Sequence, residues 1–556
     1  MHKVQDSHRP PHPAALPAST DAAAPRAIPP PTPVRFPQVA PKAESKVFRT
    51  PQHVSLVDLL QTIHRPADIK LSHFEAVGVH VIPDASAPDL IPDSSYLPPS
   101  EKWNELTAEA LLEVNEATRK PLGNGNLSPG VQTYRERQKE LLIDNTAAFR
   151  TIRRIPAPTG ETPARLGNAY EFFKNLEFFS GYWPDTSLPA KSEPPTDEEK
   201  QRSRLPTHQQ THVRVGNGSQ LPPEYRQNLI TAFVKLVAYD FGCNVSFPRT
   251  EPRLHLTPSP RASPEPTPPP SYFNSSATFI YRMPVERSSA RAGIVEGPVA
   301  AVSARATTTF ATPADETLDL AREIVAILLT AQQRARDGKT ERRFGDGEWW
   351  TMRPRWGGGP GGPIGKEADT AEGAASAPDA DGAEKSPPAQ TEDERAAVKM
   401  ANEVKRQIGG IANRTPNPAK RPKKSKEGSL MAIYDAYRRM TPPSGTWDRR
   451  ARYSAIGKVQ GEAYDDVFLI SALNHHICVV RAKVPEDLLV VLEGEEKGSW
   501  ERLEVRRSRW WDLYLKEDRV EAMNVVWGVM SWLMRKVEHP KEKAAVQLVE
   551  KMDLSC

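Results

Sequence analysis

The prolines of this chain are distributed unevenly, and this limits which parts of it can form a core. The chain contains 55 prolines in 556 residues, about twice the usual share of roughly 5 per cent. Residues 1–45 hold 11 of them, and residues 248–270 hold 9. Because proline lacks an amide donor and interrupts helices and central strands, such segments are unsuited to a packed core. The sequence therefore predicts foldable blocks separated by long spacers.

The overall composition excludes several classes of protein. The chain has 74 basic and 70 acidic residues, a net charge of +4, so any nucleic-acid binding requires a local patch. It contains no run of about 20 apolar residues, so we expect no membrane span. Cys243, Cys478 and Cys556 lie far apart. This spacing fits neither a paired metal site nor a disulfide framework and favours a reducing compartment.

Helical and strand periodicities recur between the spacers. They predict helices at 101–118, 130–149, 164–179, 222–241, 314–336 and 516–537, and strands at Phe74–Ile82, Ala277–Met283, Val299–Arg305, Asp466–Ser471 and Ile477–Val484. The last two strands are expected to form a hairpin around Asn474. Single blocks have too few strands to close a sheet, so the blocks should fold together. The predicted fold class is α+β, one discontinuous mixed helix/sheet domain interrupted by long disordered proline-rich and charged linkers.

This interpretation divides the chain into nine segments. They are a disordered Pro/Ala-rich tail (1–47), a first core block (48–185), a linker (186–220), a core helix (221–247), a Pro-rich loop (248–270), a second core block (271–356), a disordered linker with a basic cluster (357–429), a third core block (430–540) and a C-terminal tail (541–556).

A cluster of cations in the 357–429 linker resembles a nuclear import signal. Its members are Lys420, Arg421, Lys423, Lys424 and Lys426. An extended, flexible peptide of this kind can present its charges to the acidic pockets of an import receptor. We therefore expect a nuclear protein, with a cytoplasmic location as the alternative. A solvated charge run without a receptor is the competing interpretation.

Four Ser/Thr-Pro steps make the Pro-rich loop a candidate for phosphorylation. The hydroxyl residues are Thr257, Ser259, Ser263 and Thr267. Phosphorylation would add nearly two negative charges at each site, on a segment expected to be accessible. An unmodified loop is the alternative.

Two other segments suggest partners. The stretch Pro30–Arg35 fits a ligand of a module that recognises proline-rich peptides, because a polyproline helix is already extended before it docks. A plain spacer is the alternative. Tryptophans and arginines interleave between Trp349 and Trp356. They either anchor this segment to the core or stack on single-stranded nucleic acid.

Two motifs resemble cofactor or metal sites but lack a necessary part. Gly357–Gly365 is followed by Lys366, yet Glu367 stands where a phosphate loop needs Ser or Thr, so we predict no nucleotide cofactor. His475 and His476 lie near Asp465 and Asp466 in the sequence. Neighbouring strand residues point to opposite faces, so the two histidines could share an ion only at a turn. We interpret them as turn and edge histidines and assign no metal site.

The strand Val299–Arg305 followed by the 314–336 helix loosely resembles the core layout of restriction-endonuclease-like nucleases. In that family the strand carries an acid and, two residues on, a lysine, which bind a metal and activate water. Ser303 and Arg305 stand in those places here, and Glu296 is the nearest acid. The resemblance implies a degenerate, inactive version of that fold.

Taken together, these features favour a non-catalytic nuclear or nucleocytoplasmic protein that interacts with and regulates other proteins. The alternative is an enzyme whose site is assembled from several blocks, for instance a metal-dependent hydrolase.

Overall fold

A nine-stranded mixed sheet forms the centre of the structure, which is a computed structural model. It describes residues 33–49, 55–63, 68–180, 223–246, 253–259, 270–275, 277–305, 307–339, 451–459, 461–495 and 499–537. The described helices are α1 Leu56–Gln61, α2 Leu71–Val77, α3 Ala87–Leu90, α4 Ser100–Asn104, α5 Ala108–Val114, α6 Val131–Leu141, α7 Asn145–Ile152, α8 Tyr170–Ser180, α9 Pro223–Ala238, α10 Arg287–Arg291, α11 Pro313–Arg334, α12 Glu486–Leu492 and α13 Lys516–Met534. The described strands are β1 Val47–Arg49, β2 Val79–Ile82, β3 Cys243–Ser246, β4 Arg253–Leu256, β5 Ser271–Asn274, β6 Thr278–Arg282, β7 Val295–Arg305, β8 Ala451–Tyr453, β9 Tyr464–Leu473, β10 His476–Pro485, β11 Ser499–Glu501, β12 Leu503–Arg507 and β13 Trp511–Asp512.

The central sheet takes strands from every predicted block. Its order is β2-β12-β10-β9-β7-β6-β3, with β13 beside β10 and β8 beside β7. The β9–β10 hairpin is antiparallel, whereas β7 lies parallel to β9 and β12 lies parallel to β2. This mixed sheet with its helices confirms the predicted α+β class and the single discontinuous domain.

Helices cover both faces of the sheet and create two hydrophobic cores. Along β9, Phe468 and Ile470 pack into the core that contains α8, α9 and α13. Val467 and Leu469 pack into the opposite core, with α11 and α12. Because both faces of the sheet are buried, the sequences of its central strands are mostly apolar along their length.

The long helix α11 matches its sequence prediction closely. The Thr312 hydroxyl accepts a hydrogen bond from the Asp315 amide at 3.3 Å, and the Asp315 carboxylate accepts one from the Thr312 amide at 2.8 Å. This reciprocal capping box and Pro313 in the first turn fix the start of the helix. Arg334 lies in the last turn, where the helix dipole favours a cation.

The strand predicted over Phe74–Ile82 is wrong in its first half. Residues up to Val77 belong to helix α2, and β2 begins at Val79. Gly78 separates them with a φ of 83°, a left-handed conformation that ends the helix. Phe74 and Val77 are three residues apart, so this short apolar run fits a helix as well as a strand.

Three further boundaries differ from the sequence prediction. The 101–118 helix is divided into α4 and α5, because Thr107 caps a new helix by accepting a hydrogen bond from the Ala110 amide. The 130–149 helix is divided into α6 and α7. The predicted Pro-rich loop contains β4, which pairs with β5 because Leu254 and Leu256 are buried in the second core.

The end of the predicted N-terminal tail lies against the core. We call residues 33–41 the strap. The Arg35 amide donates to the carbonyl of Thr308 at 2.8 Å, and the Val81 amide donates to the carbonyl of Pro41 at 2.8 Å. One Glu316 carboxylate oxygen accepts from the amides of Gln38 and Val39, both at 2.8 Å. These hydrogen bonds, together with the packing of Val39 and Ala40 against the second core, hold the strap in place.

Candidate functional site

The turn between β9 and β10 places two histidine rings side by side. Asn474 has a φ of 54°, which asparagine tolerates, and its amide donates to the carbonyl of Arg305 at 2.8 Å. His475 lies in the turn and His476 begins β10. The alternation of strand residues therefore does not separate them, and their ring centroids lie 4.2 Å apart.

Asp512 completes a cluster with these two histidines. Strand β13 pairs with β10 so that Asp512 lies opposite His476. The Nε2 atom of His475 is 3.7 Å from one carboxylate oxygen of Asp512, and Nε2 of His476 is 3.8 Å from the other. We call these three residues the His–Asp cluster.

The acids that the sequence analysis placed near the histidines lie elsewhere. Asp465 accepts hydrogen bonds from Arg334, and Asp466 pairs with Arg481 at 2.7 Å. The acid in contact, Asp512, was missed because it is 36 residues from His476. No local sequence pattern predicts that the two-residue strand β13 pairs with β10.

Burial sets the charge state of the His–Asp cluster. It lowers the pKa of His476 to about 4, against a small opposing effect of Asp518. It also lowers the pKa of His475 well below its usual value, an effect that the neighbouring His476 reinforces. Burial raises the pKa of Asp512 to about 6, although the Tyr514 amide donates to its carboxylate. Both imidazoles are thus neutral near pH 7, with a nitrogen lone pair available to a ligand.

Aromatic side chains cover the cluster. The Phe36 ring, carried by the strap, stacks on Trp510 at 5.1 Å with an interplanar angle of 8°. The same ring meets His476 edge-on at 5.0 Å. Only 1% of the His475 side chain is exposed, against 14% for His476 and 16% for Asp512. A small ion or molecule can therefore approach from the side of His476 and Asp512.

A second group of ionisable residues lies inside the protein, where β7 and β9 end beneath α11. The Arg305 guanidinium pairs with Asp319 at 2.5 Å and with Glu323 at 3.1 Å. Glu323 also accepts from the Ser471 hydroxyl at 2.5 Å and pairs closely with Arg507. Burial alone would raise the pKa of Glu323, but Arg507 and Arg305 outweigh it and hold the pKa below its usual value. A carboxylate fixed as an anion in this way is a poor proton donor or acceptor for a substrate.

This network occupies the position at which the nuclease resemblance would place a metal. Arg305 is buried and bound to acids of α11, and Ser303 lies 3.4 Å from it. Glu296, the nearest acid on the strand, pairs with Arg282 at 2.6 Å. The two charged side chains of this strand, Glu296 and Arg305, are therefore engaged in ion pairs within the fold.

The remaining sequence-predicted sites are only partly described. The Thr257 amide donates to the carbonyl of Leu492 at 2.9 Å, and Thr257 and Ser259 are both half-buried. Ser263 and Thr267 lie outside the described residues. The five cations between Lys420 and Lys426, the Trp349–Trp356 segment and the first three residues of Pro30–Arg35 also lie outside them.

A shallow groove of about 590 Å³ lies on the surface beside α4, α5 and α6. Its lining combines apolar residues (Leu111, Leu142 and Ile143) with polar and charged ones (Asn104, Gln132, Arg135, Glu136, Gln138 and Lys139).

No protein-family model, no curated protein and no solved structure matches the chain. Among the described helices, none is long and apolar enough to cross a membrane.

Proposed function

We propose that this protein is a non-catalytic nuclear or nucleocytoplasmic protein that interacts with and regulates other proteins. The observation that carries this proposal is the state of the buried carboxylates. Asp319 and Glu323 are bound to Arg305, and Asp465 is bound to Arg334, all within the hydrophobic interior. Glu323 and Asp465 accept hydrogen bonds from these arginines inside the fold and are not presented to a substrate. Asp319 pairs with Arg305, although burial raises the pKa of its carboxyl group.

In this proposal, the basic cluster in the 357–429 linker is the nuclear import signal of the protein. Its five cations, preceded by Pro418 and interrupted by Pro422, suit an import receptor that binds extended basic peptides. Phosphorylation of Ser263 and Thr267 would add charge to the same chain and regulate its contacts.

The test of location is a fluorescent fusion of the full chain in which Lys420, Arg421, Lys423, Lys424 and Lys426 are all changed to alanine. We expect its fluorescence to move from the nucleus to the cytoplasm. Changing the four lysines to arginine preserves the charge and should preserve the nuclear signal. A Lys541→Ala, Lys543→Ala variant controls for the general loss of positive charge. An alanine variant that localises as the unchanged chain does would contradict the role of this cluster as an import signal.

A metal-dependent hydrolase is the second candidate, and the His–Asp cluster is the observation that favours it. Two histidines and a carboxylate are a ligand set used by catalytic zinc. Purified protein supplied with Zn²⁺ can be assayed on a simple phosphodiester and a simple ester. Hydrolysis that disappears in Asp512→Asn would replace the non-catalytic proposal with this one. Absence of hydrolysis in a protein that has bound zinc would support the non-catalytic proposal.

A further inference from the structure

The His–Asp cluster has the geometry of a small metal site. One ligand atom from each of His475, His476 and Asp512 lies within 4.8 Å of the other two. Zinc bonds to nitrogen and oxygen of about 2.0–2.2 Å separate neighbouring ligand atoms by roughly 3.3 Å in a tetrahedral site. Nε2 of His475 lies 3.7 Å from one Asp512 oxygen and Nε2 of His476 lies 3.8 Å from the other. Both separations exceed that value by about half an ångström. We propose that these three side chains bind one divalent transition-metal ion of the zinc class.

The groups around the cluster orient its ligand atoms. Nδ1 of His475 lies 3.1 Å from the amide oxygen of Asn474. If Nδ1 carries the proton, it donates to that oxygen and leaves the Nε2 lone pair directed at Asp512. The Tyr514 amide donates to the Asp512 carboxylate at 2.8 Å and fixes its rotation. Metal-binding imidazoles and carboxylates are commonly held by such outer contacts.

The Nε2 atom of the His476 ring faces Asp512. The Nδ1 atom of this ring is buried and has no hydrogen-bond partner among the described residues. A buried polar atom without a partner costs free energy, of the order of 1–3 kcal/mol. A metal bound at Nε2 would not satisfy Nδ1, so the positions of the three ligand side chains carry the proposed site.

The chemistry of the ligands selects the class of metal. Imidazole nitrogen suits zinc, copper, nickel and iron, whereas calcium and magnesium prefer six or more oxygen ligands. Asp518 is the next carboxylate, but it accepts from the Asp512 amide at 2.7 Å and pairs with Arg509 at 2.9 Å. Three protein ligands leave the fourth tetrahedral position to water or to another small ligand.

The experiment uses the purified full chain after treatment with a chelator and its removal. Titration with ZnCl₂ alone in a calorimeter should give one equivalent of binding. Asp512→Asn and His476→Ala should each weaken this binding by at least about a hundredfold, the upper range for loss of even an outer metal contact. His80→Ala is the matched control. His80 lies on β2, opposite Glu504, which itself pairs with Lys483 at the far end of β10 from the cluster.

Two further measurements separate metal binding from folding. Zn²⁺ should raise the Tm of the unchanged protein and of His80→Ala, but not that of Asp512→Asn, because a ligand stabilises only the state it binds. Cobalt in place of zinc should give the visible absorption of a four-coordinate site. The proposal is overturned if the unchanged protein binds no zinc, if the variants bind it equally well, or if Ca²⁺ or Mg²⁺ binds as tightly. Zinc binding and nuclear location are measured in separate experiments, so a negative result for one proposal does not contradict the other.

Discussion

Arg334 is a side chain whose position ties two distant parts of the chain together. It is fully buried and donates to both carboxylate oxygens of Asp465, at 2.7 and 3.1 Å. It also donates to the carbonyl oxygens of Pro298, Val299 and Ile456, at 3.1, 3.3 and 2.9 Å. One guanidinium therefore donates to five oxygens, a geometry available to arginine and not to lysine.

Removal of this side chain should be far more costly than removal of an exposed arginine. Arg334→Ala leaves Asp465 as an unpaired buried charge, and we expect a loss of about 3–5 kcal/mol in the free energy of unfolding. Arg509→Ala is the control, because that side chain is 45% exposed while it pairs with Asp518 and Glu521. Its loss should cost at most about 1 kcal/mol. Urea unfolding followed by circular dichroism measures the stability of both variants. Equal losses would show that the buried ion pair contributes no more to stability than the exposed one.

The residues of the candidate site were only half predictable from the sequence. His475 and His476 stand out as neighbours in a turn, and a turn was the one place where they could share an ion. Asp512 could not be found in this way, since the pairing of β13 with β10 brings it there. Asp465 and Asp466 were nearer in sequence, but they pair with the arginines Arg334 and Arg481.

At the scale of single elements, long amphipathic patterns were reliable and short ones were not. Helices α9, α11 and α13 each carry an apolar stripe over several turns, which no strand would produce. The β9–β10 hairpin was recognised by its two apolar runs around a short turn. The stretch from Phe74 to Ile82 is too short for such discrimination, and its outcome depends on the left-handed Gly78. Pairing with β5 and burial beneath α11, which only the tertiary fold provides, make β4 a strand.

The contact between a turn and the end of α13 depends on a glycine. Gly457 has a φ of 79°, and a Cβ atom there would overlap the carbonyl oxygen of Leu533 and lie 2.8 Å from its Cα atom. Gly461, four residues later, has a similar φ of 87° and no atom within 4 Å of such a Cβ. The two positions therefore share the same backbone strain and differ in the space around them.

This pair of glycines gives a test of how tightly the turn packs on α13. Gly461→Ala should lose about 1 kcal/mol of stability from its left-handed backbone. Gly457→Ala should lose a further 1–3 kcal/mol, approximately, because backbone atoms must move to accept the new methyl group. Thermal unfolding of the two variants beside the unchanged protein provides the measurement. If the two Tm values fall by the same amount, the turn is free to move away from α13.

At the scale of the whole molecule, the central sheet requires segments that are far apart in the sequence. The need for a shared sheet was predictable, because each block has too few strands to close one. The strand order was not, since β7 and β9 pair in parallel although more than 150 residues separate them. The entropy cost of closing a loop rises only slowly with the length of the loop. A long insertion between paired strands is therefore tolerated.

The same arrangement predicts that the chain survives a cut within the 357–429 linker. A specific protease site inserted between Asp381 and Gly382 would divide the chain into one piece with β7 and α11 and another with β9 and β10. Five residues of β7 pair with β9, both hydrophobic cores contain side chains from the two pieces, and Arg334 binds Asp465 across them. We therefore expect the pieces to elute together in size-exclusion chromatography after cleavage and to separate in urea. The same cut in the Arg334→Ala background should lower the urea concentration needed for separation, because the buried Asp465 then loses its partner. Pieces that part in native buffer would mean that each folds alone, and the single discontinuous domain would have to be abandoned.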